Sequence, residues 1–313
     1  MAKIIMTGVD GNFGGHAAET VLKTVAKEDL IFTAPAEEKL QKYKEMGIEC
    51  RKADFNNKEQ LKEAFSDGDT LLLISMPFVG EKRRNAHKNA IDTAVAVGVK
   101  KIIYTSIVGS GDDACDSYEK IDHQYTEGLI FESGMKYVIL RDSQYVEAMV
   151  SAYLQSAGDN GVLTNNMGDG KMAFVARNDC AEAAASVAAG AGEDNQIYYI
   201  SGPAAITITD FIETANEVTG SHVKYQYSSE EELYAFFDSM EVPRYTDGVW
   251  GEKAKSFPFC SAGMVTFGEA IRKDQMSICT NDFEMLTGKK PLSVKEVFDD
   301  LENHKIGSRT STD

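Results

Sequence analysis

Residues 3–15 read Lys3-Ile4-Ile5-Met6-Thr7-Gly8-Val9-Asp10-Gly11-Asn12-Phe13-Gly14-Gly15. A short apolar run, Lys3–Met6, enters a turn with glycines at positions 8, 11 and 14. His16–Ala26 then has helical periodicity, with Ala17, Val21, Leu22 and Val25 on one face. A strand, a glycine-rich turn and an amphipathic helix in that order make a phosphate cradle. Gly8 lets the chain turn sharply out of the strand, Gly11 lets backbone approach a pyrophosphate, and Gly14 lets the helix lie close to the sheet. The helix start aims free N–H groups and a positive dipole end at the phosphates. The pattern predicts that a dinucleotide pyrophosphate lies against the amides of Asn12 and Phe13.

The same alternation continues outward from this turn. Leu30–Thr33, Glu49–Lys52, Thr70–Ser75, Lys101–Ser106 and Lys136–Leu140 read as strands. Glu37–Met46, Lys58–Phe65, Arg84–Val97 and Ser117–Phe131 read as helices, and Gly47 and Gly98 stop two of them. TLLLIS at 70–75 is almost wholly apolar, as expected of a strand covered on both faces. Strands and helices alternating at this spacing predict right-handed βαβ units and an α/β, Rossmann-type, doubly wound parallel sheet. Residues 1–150 form the dinucleotide-binding unit in this reading. Residues 151–313 complete the sheet and form a smaller C-terminal substrate lobe. There Gly158–Gly170 reads as loop, Asn178–Ala191 as helix, Gln196–Ile200 as a strand returned to the sheet, and Thr209–Thr219 as a helix started at Thr207–Asp210. Phe236, Phe237, Tyr245, Trp250, Phe257 and Phe259 either line a flat pocket for an aromatic substrate or form the lobe's own core. The tail after Asn303 reads as frayed.

Composition narrows the partners. The chain has 313 residues, 32 Lys plus Arg against 49 Asp plus Glu, and a formal net charge of −17. Such a surface repels phosphate backbones and anionic headgroups, so nucleic acid and membrane are excluded as expected partners. No apolar run is long enough to span a bilayer, and MAKIIMTG lacks the build of a secretory leader. Cys50, Cys115, Cys180, Cys260 and Cys279 are scattered, without ligand spacing. They read as reduced thiols of a cytoplasmic protein with no metal site.

Several longer stretches carry a family resemblance. LLLISMPFVGEKRRNAHKNAIDTAVAVGVKKIIYTSIVG at 71–109, YVILRDSQYVEAM at 137–149, GDGKMAFVARNDCAEAAASV at 168–187 and IYYISGPAAITITDFIETANEVTG at 197–220 resemble the NmrA-like family. The GxxGxxG turn is similar to that of atypical short-chain dehydrogenases/reductases. Within the family the chain resembles the NAD(P)H:quinone oxidoreductase and triphenylmethane-reductase type. The resemblance implies a cytoplasmic enzyme that moves hydride from NAD(P)H to a quinone or another conjugated aromatic acceptor. It leaves open a non-catalytic NAD(P)-binding redox sensor and a reductase of benzylic ethers of plant aromatics. A homodimer is an assembly the family leaves open.

The resemblance also assigns contacts. Thr7, Gly8, Asp10, Gly11, Asn12, Phe13 and Gly14 form the cofactor turn, and Thr33 takes the place from which the 2′-phosphate is selected. Asp54 and Phe55 meet the adenine. Ser75, Met76 and Pro77 lie along the ribose, and Thr105 and Ser106 end at the nicotinamide. Asp142, Ser143, Gln144 and Tyr145 border nicotinamide and substrate. An uncharged Thr33 and an acidic protein favour NAD(H) over NADP(H). The family's lysine on the helix after the fifth strand falls on Gly128, where glycine costs roughly 1 kcal/mol against Ala. Losing that cation suits a quinone, which leaves a stabilised phenolate, better than a ketone. His123 and Tyr125, with Tyr118 behind them, are the candidate replacement acids. His123 and Glu127, one helical turn apart, are placed to pair.

Overall fold

A computed structural model describes residues 3–304, apart from Phe78 and Pro258. Its strands are β1 (Ile4–Met6), β2 (Leu30–Ala34), β3 (Glu49–Lys52), β4 (Thr70–Leu73), β5 (Lys101–Ile107), β6 (Lys136–Asp142), β7 (Val162–Asn165), β8 (Lys171–Met172), β9 (Gln196–Ile200), β10 (Ile206–Thr207) and β11 (Lys224–Tyr227). Helices α1 (Asn12–Val21), α2 (Gln41–Glu45), α3 (Lys58–Phe65), α4 (Glu81–Ala96), α5 (Tyr118–Glu132) and α6 (Val146–Gly158) follow the first six strands in turn. Then come α7 (Arg177–Ala188), α8 (Ile208–Thr219), α9 (Glu230–Ser239), α10 (Ser261–Arg272), α11 (Asp282–Thr287) and α12 (Val294–Asp299).

Seven strands make one sheet in the order β3-β2-β1-β4-β5-β6-β9, and every pairing in it is parallel. The chain runs outward from β1 to β3 and crosses back to β4. The carboxyl ends of β1 and β4 therefore flank the topological switch point, where open α/β sheets bind ligands. Strand alternation feeds two cores. Ile4, Met6, Phe32, Leu72 and Ile103 pack on one face with α1 and α7. Ile5, Ile31, Leu71, Leu73 and Ile102 pack on the other with α3 and α4. Two covered faces explain the nearly continuous apolar strands.

The second half returns β9 to the sheet edge beside β6 and packs α7 on α1. The antiparallel β8–β10 pair and the parallel β7–β11 pair lie outside the main sheet. The start of α8 is a full capping box between Thr207 and Asp210. Three elements differ from the sequence expectation. The first helix begins at Asn12 rather than His16, so the cradle itself opens it. The second divides into a 3-10 turn, Glu37–Leu40, and α2. The stretch expected as loop holds β7, whose partner β11 lies far along the chain and left no local signal. The tail expected to fray lies outside the described residues, except His304.

Candidate active site at the carboxyl edge of the sheet

At the end of β1, Thr7 Oγ1 donates to the Leu72 carbonyl (3.1 Å) and accepts from the Ile74 amide (3.0 Å). This side chain sews β1 to β4 and is not turned toward a ligand. Gly8 has a φ of 63°, the left-handed region that glycine occupies without strain. A Cβ on Gly14 would stand 2.0 Å from the Gly8 carbonyl oxygen, so α1 crosses the turn at a distance only glycine permits. Gly11 caps α1 with extended backbone and no side-chain hydrogen bond, and the first turn carries no acid. The amides of Asn12 and Phe13 thus have no intrahelical partner and face the dipole's positive end. A Cβ on Gly11 would meet only the Gly8 oxygen, at 3.5 Å. A cavity of about 670 Å³ opens on this turn, lined among others by Asp10, Gly11, Asn12, Lys39, Lys42 and Arg177. These features fit a dinucleotide pyrophosphate.

The neighbouring strand ends carry the other residues expected at the adenosine half of the cofactor. Thr33 is fully buried, and its hydroxyl donates to the Met6 carbonyl (3.3 Å). It cannot read a 2′-phosphate from there. The charged groups near the turn come instead from the following segment, where Lys39 pairs with Asp10 at 3.1 Å. Asp54 accepts from the Asn56 amide (2.9 Å). Phe55 packs its ring into the core beside Leu61 and Ala86.

Met76 and Gly80 are held by side chains from two helices. The Met76 amide donates to His87 Nε2 (3.1 Å), and His87 Nδ1 meets Thr126 Oγ1 (3.0 Å). Thr126 gives its proton to the Asp122 carbonyl (2.8 Å), so the ring must donate at Nδ1 and accept at Nε2. Burial, with the Arg83 guanidinium, pushes His87 down to about 3, which agrees with that neutral tautomer. At the far end, the Gly80 amide donates to Asp122 Oδ2 (2.5 Å), whose other oxygen accepts from Arg84 (2.6 Å). Ser75 is fixed too, its amide bonded to Thr105 Oγ1 (2.8 Å).

Helix α5 shows the largest departures. His123 is buried between the Tyr104 hydroxyl (2.8 Å to Nδ1) and Arg83 (3.2 Å to Nε2). Burial and the Arg83 charge hold it far below the usual histidine range. It is a neutral ring in the scaffold rather than an acid at the sheet edge. Tyr125 lies on the opposite, outward side and is 39% exposed. His123 does not pair with Glu127. Glu127 instead makes a two-bond pair with Arg141 (3.1 and 2.6 Å) and accepts from Ser106 (2.6 Å) and Ser110 (2.7 Å). Ser106 is therefore bound into α5. A Cβ on Gly128 would meet nothing within 4 Å. Ile121, Gln124 and Tyr125, all exposed, share its side of the helix, so a lysine at 128 would point to solvent.

After β6, Tyr145 donates to Asp142 Oδ2 (3.1 Å). Burial pushes the Asp142 carboxyl up to about 8, against the Tyr145 hydrogen bond that lowers it. Ser143 is buried, its hydroxyl 3.7 Å from the Met172 sulfur. The Gln144 carbonyl accepts from the Val175 amide (3.0 Å). Glu147, also buried, accepts from the Arg177 amide (2.9 Å) and meets His304 (2.8 Å). His87 and Asp122 escaped the sequence reading because nothing local marks which face of a polar helix is buried, and Arg141 and Lys39 because their partners, Glu127 and Asp10, are remote in the chain.

A dinucleotide turn at the switch point of a doubly wound sheet defines an NAD(P)H-binding protein. The NAD(P)H-binding family model matches residues 8–190, and the chain belongs to that family. It is 33% identical over 240 residues to quinone oxidoreductase 2 of Escherichia coli K12, covering 77% of this chain and 82% of that one. The NADPH-dependent quinone oxidoreductase of Escherichia coli solved with NADPH superposes with a TM-score of 0.83, at 29% identity over 96% of this chain and 99% of the other. The triphenylmethane reductase of Citrobacter sp. solved with NADP(H) gives 0.80 at 27% identity, covering 95% and 99%.

Proposed function

We propose that this protein is an NAD(P)H-dependent oxidoreductase that transfers hydride to a quinone or another conjugated aromatic acceptor. The observation that carries the reading is the glycine turn with its open first-turn amides, set at the switch point. Similarity to a quinone oxidoreductase and a triphenylmethane reductase supports the acceptor class. When bound, the cofactor supplies the hydride. The Asn12 and Phe13 amides hold its phosphates. Ser75, Met76 and Pro77, tied down through His87 and Asp122, orient its ribose end. A quinone that takes up hydride becomes a stabilised phenolate and draws its proton from water, giving the hydroquinone and oxidised nicotinamide. That chemistry suits a site whose expected acids are a neutral, buried His123 and an outward Tyr125. The test is oxidation of NADH and NADPH against quinones, triphenylmethane dyes and aromatic ethers. Quinone turnover is expected, and no turnover with any acceptor would favour the sensor.

The expectation of NAD(H) rests on Thr33, which is buried. Lys39 and Lys42 on the cavity favour acceptance of a 2′-phosphate, so we infer that NADPH is used. Lys39 is exposed, which limits its effect to roughly two- to fivefold. Lys39→Ala should weaken NADPH by that factor and leave NADH unchanged. An unaltered ratio would remove Lys39 from the selection. The acidic surface and five unpaired cysteines support a cytoplasmic setting with no nucleic-acid partner. Among the described residues no helix is long and apolar enough to cross a membrane. A homodimer and the 1–150 and 151–313 division belong to the same proposal.

A further inference from the structure

The aromatic residues between 236 and 259 do not all share one cluster. Phe236, Phe237 and Phe257 pack on one another with centroids 5.4–6.3 Å apart, and Phe237 belongs to the lobe's own core with Leu233 and Val265. Tyr245 leaves that cluster. Its ring lies 5.7 Å from Tyr118, tilted by 46°, and it is 54% exposed. Tyr118 is the first residue of α5. Since β5 delivers the chain to the carboxyl edge and α5 runs back from there, this ring stands on the side where ligands bind. A Cβ on Gly80 would stand 3.6 Å from the Tyr118 hydroxyl and 3.5 Å from Thr246 Oγ1. The tethered Gly80, the start of α5 and the lobe therefore meet at this pair. Tyr118 is anchored by its amide, which donates to Thr266 Oγ1 (2.8 Å).

We propose that Tyr118 and Tyr245 form the seat on which a planar aromatic acceptor stacks beside the cofactor's ribose end. The assignment rests on the proposed function and adds the binding surface to it. Phenol rings present electron-rich faces, and a quinone ring is electron-poor, so offset stacking is favoured. The amide bond to Thr266 fixes the Tyr118 backbone beneath the ring, and the exposed Tyr245 supplies open face. Such contact grows with acceptor area, so a two-ring quinone gains more from the pair than a one-ring quinone.

The test compares the full-length protein with Tyr245→Leu, Tyr118→Leu and Tyr118→Phe, using menadione and 1,4-benzoquinone. Loss of an aromatic face should raise KM for menadione roughly three- to tenfold, with a smaller rise for benzoquinone. Tyr118→Phe should keep the wild-type KM, and NADPH affinity should stay within about twofold in every variant, since the seat is outside the phosphate turn. An unchanged menadione KM in both leucine variants would overturn the seat while leaving the reductase reading intact. If the wild type turns over no quinone, that reading fails on its own. Menadione quenching of intrinsic fluorescence then decides the seat: weaker binding in Tyr245→Leu supports it, and equal binding overturns it.

Discussion

The turn Thr7–Gly15 and the helix α5 both meet the carboxyl edge of the sheet, and they work in opposite ways. The turn acts through backbone. Its glycines remove side chains so that amides and a close helix crossing face the ligand, while Thr7 is turned inward. Helix α5 is crowded with groups that look reactive, yet Asp122, His123, Thr126 and Glu127 are buried and bonded within the scaffold. Ile121, Tyr125 and Phe131 face solvent instead. The helix inverts the usual amphipathic pattern, because its inner side carries the polar ties that hold Gly80, β5 and β6. A titratable residue near a site is therefore no guide to chemistry until its partners are known.

The sharpest break of this contrast is within the turn. Gly14→Ala puts a methyl into the Gly8 carbonyl, and backbone cannot yield as a side chain does. NADPH binding should vanish, and stability should fall by about 1–3 kcal/mol. A Cβ on Gly11 meets only the Gly8 oxygen, at ordinary contact distance, so Gly11→Val should fold with a thermal midpoint near that of the wild type, while its bulk takes the space a pyrophosphate needs and abolishes binding. Differential scanning fluorimetry with NADPH titration separates the two. A Gly14→Ala protein that binds normally would refute the close crossing.

On the helix side, the largest effect belongs to Glu127→Ala. It leaves the buried Arg141 guanidinium with the Tyr199 hydroxyl but without its counter-charge, and takes the carboxylate acceptor from Ser106 and Ser110. Breaking one side of such a pair costs about 3–5 kcal/mol, read from urea unfolding. A change below about 1 kcal/mol would mean that the pair is not desolvated as its geometry implies.

Much of this was legible in the sequence, and the reasons are local. β1, β2, β4, β5 and β6 announce themselves because both sheet faces are covered, which makes whole strands apolar. The turn announces itself because its glycines are required by sterics that do not depend on distant residues. The side-chain partners of Thr33, Ser106 and His123 were not legible, for the opposite reason. Their surroundings come from Met6, Glu127, Arg83 and Tyr104, which are remote in the chain, and spacing alone cannot tell a hydroxyl facing a cleft from one facing a neighbouring strand. β7 was missed because its pairing is with β11, across a long separation.

The buried histidines make the helix's structural role visible in acid. His87 is neutral when folded, with its value lowered from 6.5 to about 3. The unfolded chain takes up a proton below about pH 6.5. Stability is therefore full above that pH and falls as the pH drops toward 3, by up to about 1.4 kcal/mol per pH unit for one ring. His123, also held low, adds to the slope. His87→Gln keeps an acceptor for the Met76 amide and a donor for Thr126. It should flatten the acid limb by about one proton without changing KM for NADPH at neutral pH. An unchanged slope would mean that the ring is solvated or protonated in the folded state.

The smallest effects are expected on the outer side of α5. Tyr125→Phe removes a hydroxyl that is open to solvent, so quinone turnover should stay within about twofold, against the roughly 10²–10⁴-fold loss that general-acid removal causes. Gly128→Lys restores the residue type that the family resemblance places there. If that cation stabilised a developing oxyanion, the variant would gain activity toward weakly electrophilic ketones. A side chain at 128 instead leaves the helix on the side of Ile121 and Gln124, away from the ties to the sheet, and a Cβ meets nothing within 4 Å. The substitution replaces a helix-interior glycine by a better helix former, so it should raise stability by up to about 1 kcal/mol. Activity toward quinones and ketones should be unchanged. A gain with ketones and no gain in stability would turn position 128 toward the substrate and reverse the orientation of α5 described above. A gain in stability alone assigns the glycine to an outer surface that catalysis does not use.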